Sequence, residues 1–324
     1  MSNAIVLREY GGPEALRLEA TEVGAPGPEE LRIRHTAIGV NFHDAYVRSG
    51  LYRTLQLPGI PGIEAAGVVV EAGKNSLGFV PGDRVVYVNQ HYGAYSQERL
   101  LPASLALRLP DGVSEGVAAS ITVKGLTACM LLRRVRRVAA GETVLIHAAA
   151  GGVGQLLVRW AKHLGAKVIG TVGSAEKART ARECGADHVI LYREENFVDR
   201  VQTLTQGKGV EVVYDSVGQD TFLGSIDCLS YFGTVVNFGQ SSGAVEPFAV
   251  SRLAARSTMV TRPILFHFVR DRSALEALFR ETFDALAAQT IRAHTVLRLP
   301  LDQAADAHRA MESRALSGAI MLIP

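Results

Sequence analysis

Residues 144–154 read Val-Leu-Ile-His-Ala-Ala-Ala-Gly-Gly-Val-Gly, and this stretch decides the fold. The apolar run 144–149 has the length of a buried strand, and an amphipathic pattern over about 152–164 follows it. Between them lies a turn of small residues. Such a turn needs small side chains for tightness, for close approach of a pyrophosphate, and for packing of helix on strand. Ala149, Gly151 and Gly154 hold those three positions, alanine replacing the usual first glycine, with Gly152 and Val153 between them. Free N–H groups at the start of the following helix can receive phosphates. The stretch therefore predicts the strand, turn and helix of a dinucleotide-binding unit.

Working outward, apolar runs at 167–172, 188–192, 210–217, 233–238 and 258–264 alternate with helical patterns near 174–184 and 194–205. Strands that are apolar throughout, separated by helices, indicate a parallel sheet covered on both faces. Residues 123–265 thus read as a doubly wound, Rossmann-type α/β domain. The end of its second strand discriminates between cofactors. A site for NAD usually carries Asp or Glu about 20 residues beyond the glycines, on the ribose hydroxyl. Here the sequence is Val172-Gly173-Ser174-Ala175-Glu176-Lys177, with no acid closing the strand. Gly173, Ser174 and Lys177 offer N–H donors, a hydroxyl and a cation to a 2′-phosphate, so NADPH is the expected cofactor. Glu176 falls inside the helix, pointing elsewhere.

Residues 1–122 have a different rhythm. Short β-like runs at 31–40, 65–70 and 84–88 are punctuated by Gly and Pro, as in Pro81-Gly82-Asp83. Many short strands between turn signals suggest a compact barrel-like domain. The tail, 266–324, carries a helical pattern near 271–289 and a closing apolar run at 319–324; it is expected to return to the first domain, making the sheet domain an insertion. Apolar residues make up 48% and charged residues 20% of the 324, with a net charge of +2, so no bulk attraction to nucleic acid or membrane is implied. No uninterrupted apolar run approaches the roughly 18–20 residues of a membrane span. The opening residues lack a basic segment before an apolar core, so no secretory signal is expected. Cys129, Cys184 and Cys228 are dispersed, which fits a reducing cytoplasm rather than a disulfide framework.

The runs NFHDAYVRSGLY (41–52), EAAG (64–67), GDRVVY (82–87), KGLTA (124–128), HAAAGGVG (147–154), YREE (192–195), VVYDSVG (212–218) and FGQSSG (238–243) occur in one order. In these the chain resembles the zinc-independent quinone oxidoreductase, or ζ-crystallin-like, branch of the medium-chain dehydrogenase/reductase family, bacterial NADPH:quinone oxidoreductases above all. The resemblance spans the whole chain. It implies a GroES-like β-barrel domain at 1–122 completed by the tail, an inserted Rossmann domain at 123–265, and a homodimer paired through edge strands, here 258–264.

Zinc-dependent members of the wider family carry ligands near positions 41 and 63 and four clustered cysteines. This chain has Asn41 and Ile63 there and no cluster, so no metal is expected and alcohol oxidation loses its Lewis acid. Glu64 reads as a hydrogen-bonded carboxylate. Quinones and conjugated enones are already electrophilic, and their reduction mainly requires placement against nicotinamide C4. The resemblance points to Asn41, Tyr46 and Tyr52 in the cleft between the domains. Asn41 serves either the nicotinamide or the substrate, and either tyrosine can donate to a carbonyl gaining charge. It carries further cofactor contacts onto Lys124 and Thr127 in a helix start, Tyr192 beside the adenine or the 2′-phosphate, and Ser216, Phe238, Gly239 and Ser241 after later strands. Ile264, Leu265 and Arg314 join this set, Arg314 serving equally as a surface partner of Glu312. His43 reads as structural and Asp44 as a tie to its own loop. Two other functions stay open: an NADPH-dependent reductase of α,β-unsaturated aldehydes or ketones, and a dinucleotide-binding structural or RNA-binding protein. For the last, the basic run Arg133-Arg134-Val135-Arg136-Arg137 is the sole support, and a solvated helix end explains that run as well. No nucleic-acid partner is expected.

Overall fold

The computed structural model describes every residue, 1–324. The chain forms two compact units, one comprising Met1–Val123, Arg270–Phe283 and Ala293–Pro324, the other Lys124–Val269 and Asp284–Arg292.

The first unit opens with β1 (Ser2–Leu7), β2 (Leu16–Thr21), β3 (Glu30–Val40), the short helix α1 (Phe42–Arg48), β4 (Glu64–Ala72), β5 (Arg84–Val88), β6 (Glu98–Pro102) and β7 (Ala106–Arg108). Helix α2 (Glu115–Met130) carries the chain onward, and a π turn, Leu131–Val135, continues it. The second unit contains β8 (Thr143–Ile146), α3 (Gly152–His163), β9 (Lys167–Val172), α4 (Ala175–Glu183), β10 (His188–Leu191), α5 (Phe197–Leu204), β11 (Val210–Asp215), α6 (Phe222–Asp227), β12 (Leu229–Asn237), β13 (Met259–Thr261) and α7 (Leu265–Phe268). The tail supplies α8 (Arg272–Ala287), β14 (Thr295–Pro300), α9 (Ala304–Glu312) and β15 (Ala319–Ile323).

In the second unit all six strands are parallel, in the order β10-β9-β8-β11-β12-β13. That is the Rossmann arrangement predicted from the strand–helix alternation, and the order reverses between β8 and β11. Ligands of such sheets bind beyond the carboxyl ends at this switch point. Leu145, Ile169, Ile190, Val213 and Val235 from five neighbouring strands bury against Val201 and Phe222 from the covering helices. In the first unit the sheet runs β14-β15-β3-β4-β5-β7, with β6 on β3, while β1 and β2 form a separate hairpin. Strand β3 shows the reason for a half-covered sheet. Its first half alternates buried Leu31, Ile33 and His35 with more exposed neighbours, and its second half, Ala37–Val40, is buried throughout. Strand β15 pairs antiparallel with β3, which places the tail in the first unit's sheet.

Some boundaries differ from the sequence reading. The strand predicted over 144–149 ends at Ile146, because Ala148 turns into the left-handed region with φ 50°. The edge strand expected at 258–264 shortens to Met259–Thr261, just ahead of Pro263, which has no N–H for a ladder. The motif 124–128 does not start a helix. Helix α2 begins nine residues earlier at Glu115, where Ser114 Oγ accepts from Val117 N at 3.3 Å. Lys124 and Thr127 therefore lie mid-helix, and only their side chains are available to a ligand. Joined to its π turn, α2 becomes long and apolar enough by composition to cross a membrane, although no such uninterrupted run exists in the sequence; most of it is buried inside the protein.

Candidate functional site

The glycine-rich turn is built as its sequence demands. Gly151 precedes α3 in an extended conformation, and its N–H donates to Ala148 O at 2.8 Å. A side chain at Gly154 would overlap the Ala148 carbonyl oxygen outright and stand 3.0 Å from the carbonyl carbons of Ala148 and Ala149. At Gly151 the demand is milder, since a Cβ would meet Ala148 O at 3.1 Å. Alanine is tolerated at 149 because of its neighbour: a Cβ on Gly170, in β9, would come within 2.7 Å of the Ala149 methyl. Helix α3 thus starts on two residues without side chains, Gly151 and Gly152.

The end of β9 forms a second polar edge. Gly173 and Ser174 leave the strand, Ser174 caps α4, and its Oγ accepts from Lys177 N at 3.3 Å. Tyr192 follows β10 directly and is 43% exposed. Its hydroxyl lies 2.8 Å, and the Arg193 Nε 3.4 Å, from where a Cβ on Gly173 would be. The structure thus brings Gly173, Ser174, Lys177 and Tyr192 together and adds Arg193, which lies in the YREE run but was not among the expected contacts. Its place beside Tyr192 was the available signal. Glu176 is exposed on the first turn of α4.

Further along the carboxyl edge, the buried Asp215 organises the turn after β11. Its Oδ1 accepts from Val217 N, Gly218 N and Thr221 Oγ1 at 2.8, 3.1 and 2.9 Å. Ser216 O accepts from Ser241 N at 3.2 Å, and a Cβ on Gly239 would fall 2.6 Å from that same oxygen. Ser216, Phe238, Gly239 and Ser241 thereby line one pair of interlocked loops. Arg262, unforeseen in the sequence, ties them to the sheet edge by donating to Asn237 Oδ1 at 2.9 Å and Gly239 O at 3.1 Å. Lys124 is a buried cation and Thr127 half-buried on the same helix. Ile264 is exposed just before α7, which Leu265 starts. His147, inside the turn motif, is a buried structural group. Its ring nitrogens reach Thr171 Oγ1 at 2.9 Å and Ser225 Oγ at 3.0 Å, and burial pushes its pKa down. Of the basic run, Arg136 pairs with Glu142 at 2.6 Å, while Arg133, Arg134 and Arg137 are exposed at the end of the π turn.

In the first unit, Asn41 stands at the head of α1 with its backbone N–H on Asp44 Oδ2 at 2.8 Å. Its side-chain Nδ2 donates to Glu64 Oε1 at 2.8 Å, and Glu64 Oε2 accepts from Val123 N at 2.7 Å. Glu64 is fully buried in a seat that the missing side chain of Gly39 leaves open. Asp44 binds its own loop, as its position suggested. Next to Asn41, half-buried Phe42, His43, Tyr46 and Tyr52 form an aromatic wall. The Tyr46 and Tyr52 rings meet edge-on at 5.2 Å, and those of His43 and Tyr52 at 5.5 Å. His43 Nε2 lies 3.4 Å from Tyr92 OH, and burial lowers its pKa to about 4, so it is a neutral packing group. Arg314 is exposed after α9, and the Glu312 carboxylate is taken up bidentately by Arg48 at 2.7 and 3.0 Å.

Residues 27–111 match the family model for the alcohol dehydrogenase GroES-like domain, and 152–282 that for zinc-binding dehydrogenases. Quinone oxidoreductase 1 of Escherichia coli is 43% identical over 327 residues, covering all of both chains. A 2-haloacrylate reductase of a Burkholderia species is 43% identical over 331 residues, covering 100% of this chain and 99% of the other. The crystal structure of the E. coli quinone oxidoreductase complexed with NADPH superposes with a TM-score of 0.96 over 99% of this chain and 100% of that one. The zinc in the second model's description has no fitting donor set at the expected positions here. Asn41 spends its amide on Glu64, and Ile63 is a buried aliphatic.

Proposed function

This chain belongs to the quinone oxidoreductase branch of the medium-chain dehydrogenase/reductase family, and from that premise we propose that it reduces quinones with NADPH and without zinc. The observation that carries the reading is the polar edge of the second unit, where no acid closes β9 and Gly173, Ser174, Lys177, Tyr192 and Arg193 lie at its end. The residues fit the cofactor. The bare backbone at Gly151 and Gly154 accepts a pyrophosphate on the amides of α3, and Lys177, Arg193 and the Tyr192 hydroxyl accept a 2′-phosphate. No Asp or Glu closes β9 to meet the ribose hydroxyls of NADH. Ser216, Phe238, Gly239 and Ser241 supply backbone and hydroxyl contacts along the same edge, with Lys124, Thr127, Ile264 and Leu265 as further contacts. When bound, NADPH supplies a hydride at nicotinamide C4.

The chain's own residues place the acceptor. Glu64 fixes the side-chain amide of Asn41, which then orients the substrate. The half-buried faces of Tyr46 and Tyr52 give a planar ring something to lie against, and either hydroxyl can donate to an oxygen gaining charge. A hydroquinone anion takes its proton from water readily, so no strong acid is needed. The protein acts in the cytoplasm as a homodimer joined at β13. Supporting this, exposed apolar groups cluster by chain segment near that edge: Tyr231 and Phe232 of β12 are 70% and 71% exposed, and Met259 of β13 is 52% exposed.

A second reading, an NADPH-dependent reductase of activated C=C bonds, is favoured by the full-length similarity to the 2-haloacrylate reductase. Steady-state NADPH oxidation with ortho- and para-quinones, 2-haloacrylate and simple enones separates the two. Quinone turnover is expected; turnover of enones or haloacrylate with none on any quinone would overturn the first reading.

A further inference from the structure

Four side chains of the first unit, from three separate stretches of the sequence, form one polar chain inside it. Arg48 Nη1 lies 3.3 Å from His308 Nδ1, His308 Nε2 lies 3.0 Å from Tyr95 OH, and Tyr95 OH donates to Asp44 Oδ2 at 3.1 Å. Asp44 and Arg48 are one turn apart on α1, so the polar chain begins and ends on that helix. All four are buried, with relative exposures of 0% for Asp44, Tyr95 and His308 and 3% for Arg48.

The direction of every hydrogen bond follows from donor counting. A guanidinium only donates, so His308 Nδ1 must accept. The single Tyr95 proton goes to the carboxylate, so the tyrosine oxygen accepts from His308 Nε2–H. His308 is therefore neutral with its proton on Nε2, consistent with burial driving its pKa down to about 3. Burial likewise holds Tyr95 protonated. At its far end Arg48 is neutralised by Glu312 and also donates to Gly11 O at 3.1 Å.

Such a polar chain is costly. Buried polar chains add little to stability over well-packed apolar groups, and they earn retention by selecting one geometry. The geometry selected here is that of α1, a seven-residue helix too short to hold itself. One end of the polar chain is Asp44 Oδ2, the same atom that accepts the Asn41 N–H. The outward side of α1 carries Phe42, His43 and Tyr46.

We propose that His308 and Tyr95 are positioning residues for the acceptor site. From the tail helix and the first-unit core they clamp Asp44 and Arg48, and so set the placement of Asn41 and Tyr46. The proposal rests on the reading that Asn41 and Tyr46 meet the acceptor, and on nothing in the nucleotide edge.

The test compares full-length wild type with Tyr95→Phe, which removes one oxygen at nearly constant volume, and with His308→Gln as a second variant should the first fail to fold. Hydrogen exchange measured by mass spectrometry on the segment 41–48 is expected to speed up about tenfold, with β3, β4 and β5 unchanged. The kcat/KM for 1,4-benzoquinone is expected to fall about tenfold, while the Kd for NADPH by fluorescence titration stays within about twofold. Unchanged exchange at 41–48 in a folded variant overturns the proposal. So does acceleration spread evenly through the first unit, or an NADPH affinity loss as large as the loss in turnover. Wild type that turns over no acceptor would sink the functional reading instead, and the exchange pattern would still decide the clamp.

Discussion

Replacing Gly154 by alanine should disable nucleotide binding while leaving the protein folded. The added methyl would overlap the Ala148 carbonyl oxygen and come within 3.0 Å of two carbonyl carbons, all backbone atoms that cannot rotate away. Relief requires the start of α3 to retreat by about 1 Å, at a cost of about 1–3 kcal/mol in stability. That retreat also pulls the first amides of the helix from the position a pyrophosphate would occupy. Each hydrogen bond to a charged group contributes about 1.5–3 kcal/mol, so losing two costs about 3–6 kcal/mol, or roughly 10²–10⁴-fold in Kd. Gly151→Ala is the internal control. Its methyl would meet Ala148 O at 3.1 Å, a contact relieved by a few tenths of an ångström, and the expected loss is under about tenfold. Titration calorimetry with NADPH gives the affinities, and circular dichroism reports the fold. Gly154→Ala binding NADPH within about threefold of wild type, or Gly151→Ala proving the worse of the two, would refute the account of the turn.

Lys177→Ala and Arg193→Ala should each weaken NADPH about tenfold and leave NADH affinity nearly unchanged, since in the proposed reading each supplies a cation to the 2′-phosphate, which NADH lacks. Equal losses for both cofactors, measured by fluorescence titration, would remove that residue from the 2′-phosphate site. The first unit should also lose stability in acid. Burial lowers His35 and His43 to about 4 and His308 to about 3, against 6.5 in the open chain. The unfolded chain therefore binds protons first as pH falls. The stabilising difference is whole above pH 6.5 and is lost progressively as the pH drops toward 4 and below, at up to about 1.4 kcal/mol per pH unit for each imidazole. Urea midpoints that do not fall between pH 7.5 and 5 would contradict buried neutral imidazoles.

Local physics made much of this protein legible from its residues. Apolar runs of strand length, the change of rhythm after residue 122 and the small residues at 149, 151 and 154 each act within a few positions. A reader of the chain alone can place them. The same holds for the absence of an acid at the end of β9, which concerns one short segment. Helix starts were less legible: Lys124 looked like the head of a helix because its motif is short, while the cap that sets the start, Ser114, lies ten residues upstream.

Other features depend on partners that folding alone brings together. Gly170 explains Ala149, yet one lies in β9 and the other in the turn after β8. Arg193 gains meaning from Gly173, Arg262 from Asn237, and Glu64 from Asn41 and Val123. The polar chain through Arg48 and His308 joins residues 260 apart. By itself the sequence determined the α/β architecture and the dinucleotide turn at 149–154, because periodicity and chain geometry are properties of short segments; that 41 and 63 lack zinc donors came from the family resemblance. Only the tertiary structure decided which buried polar groups answer one another, because a carboxylate or imidazole in a core takes its role from whatever donor the fold sets against it.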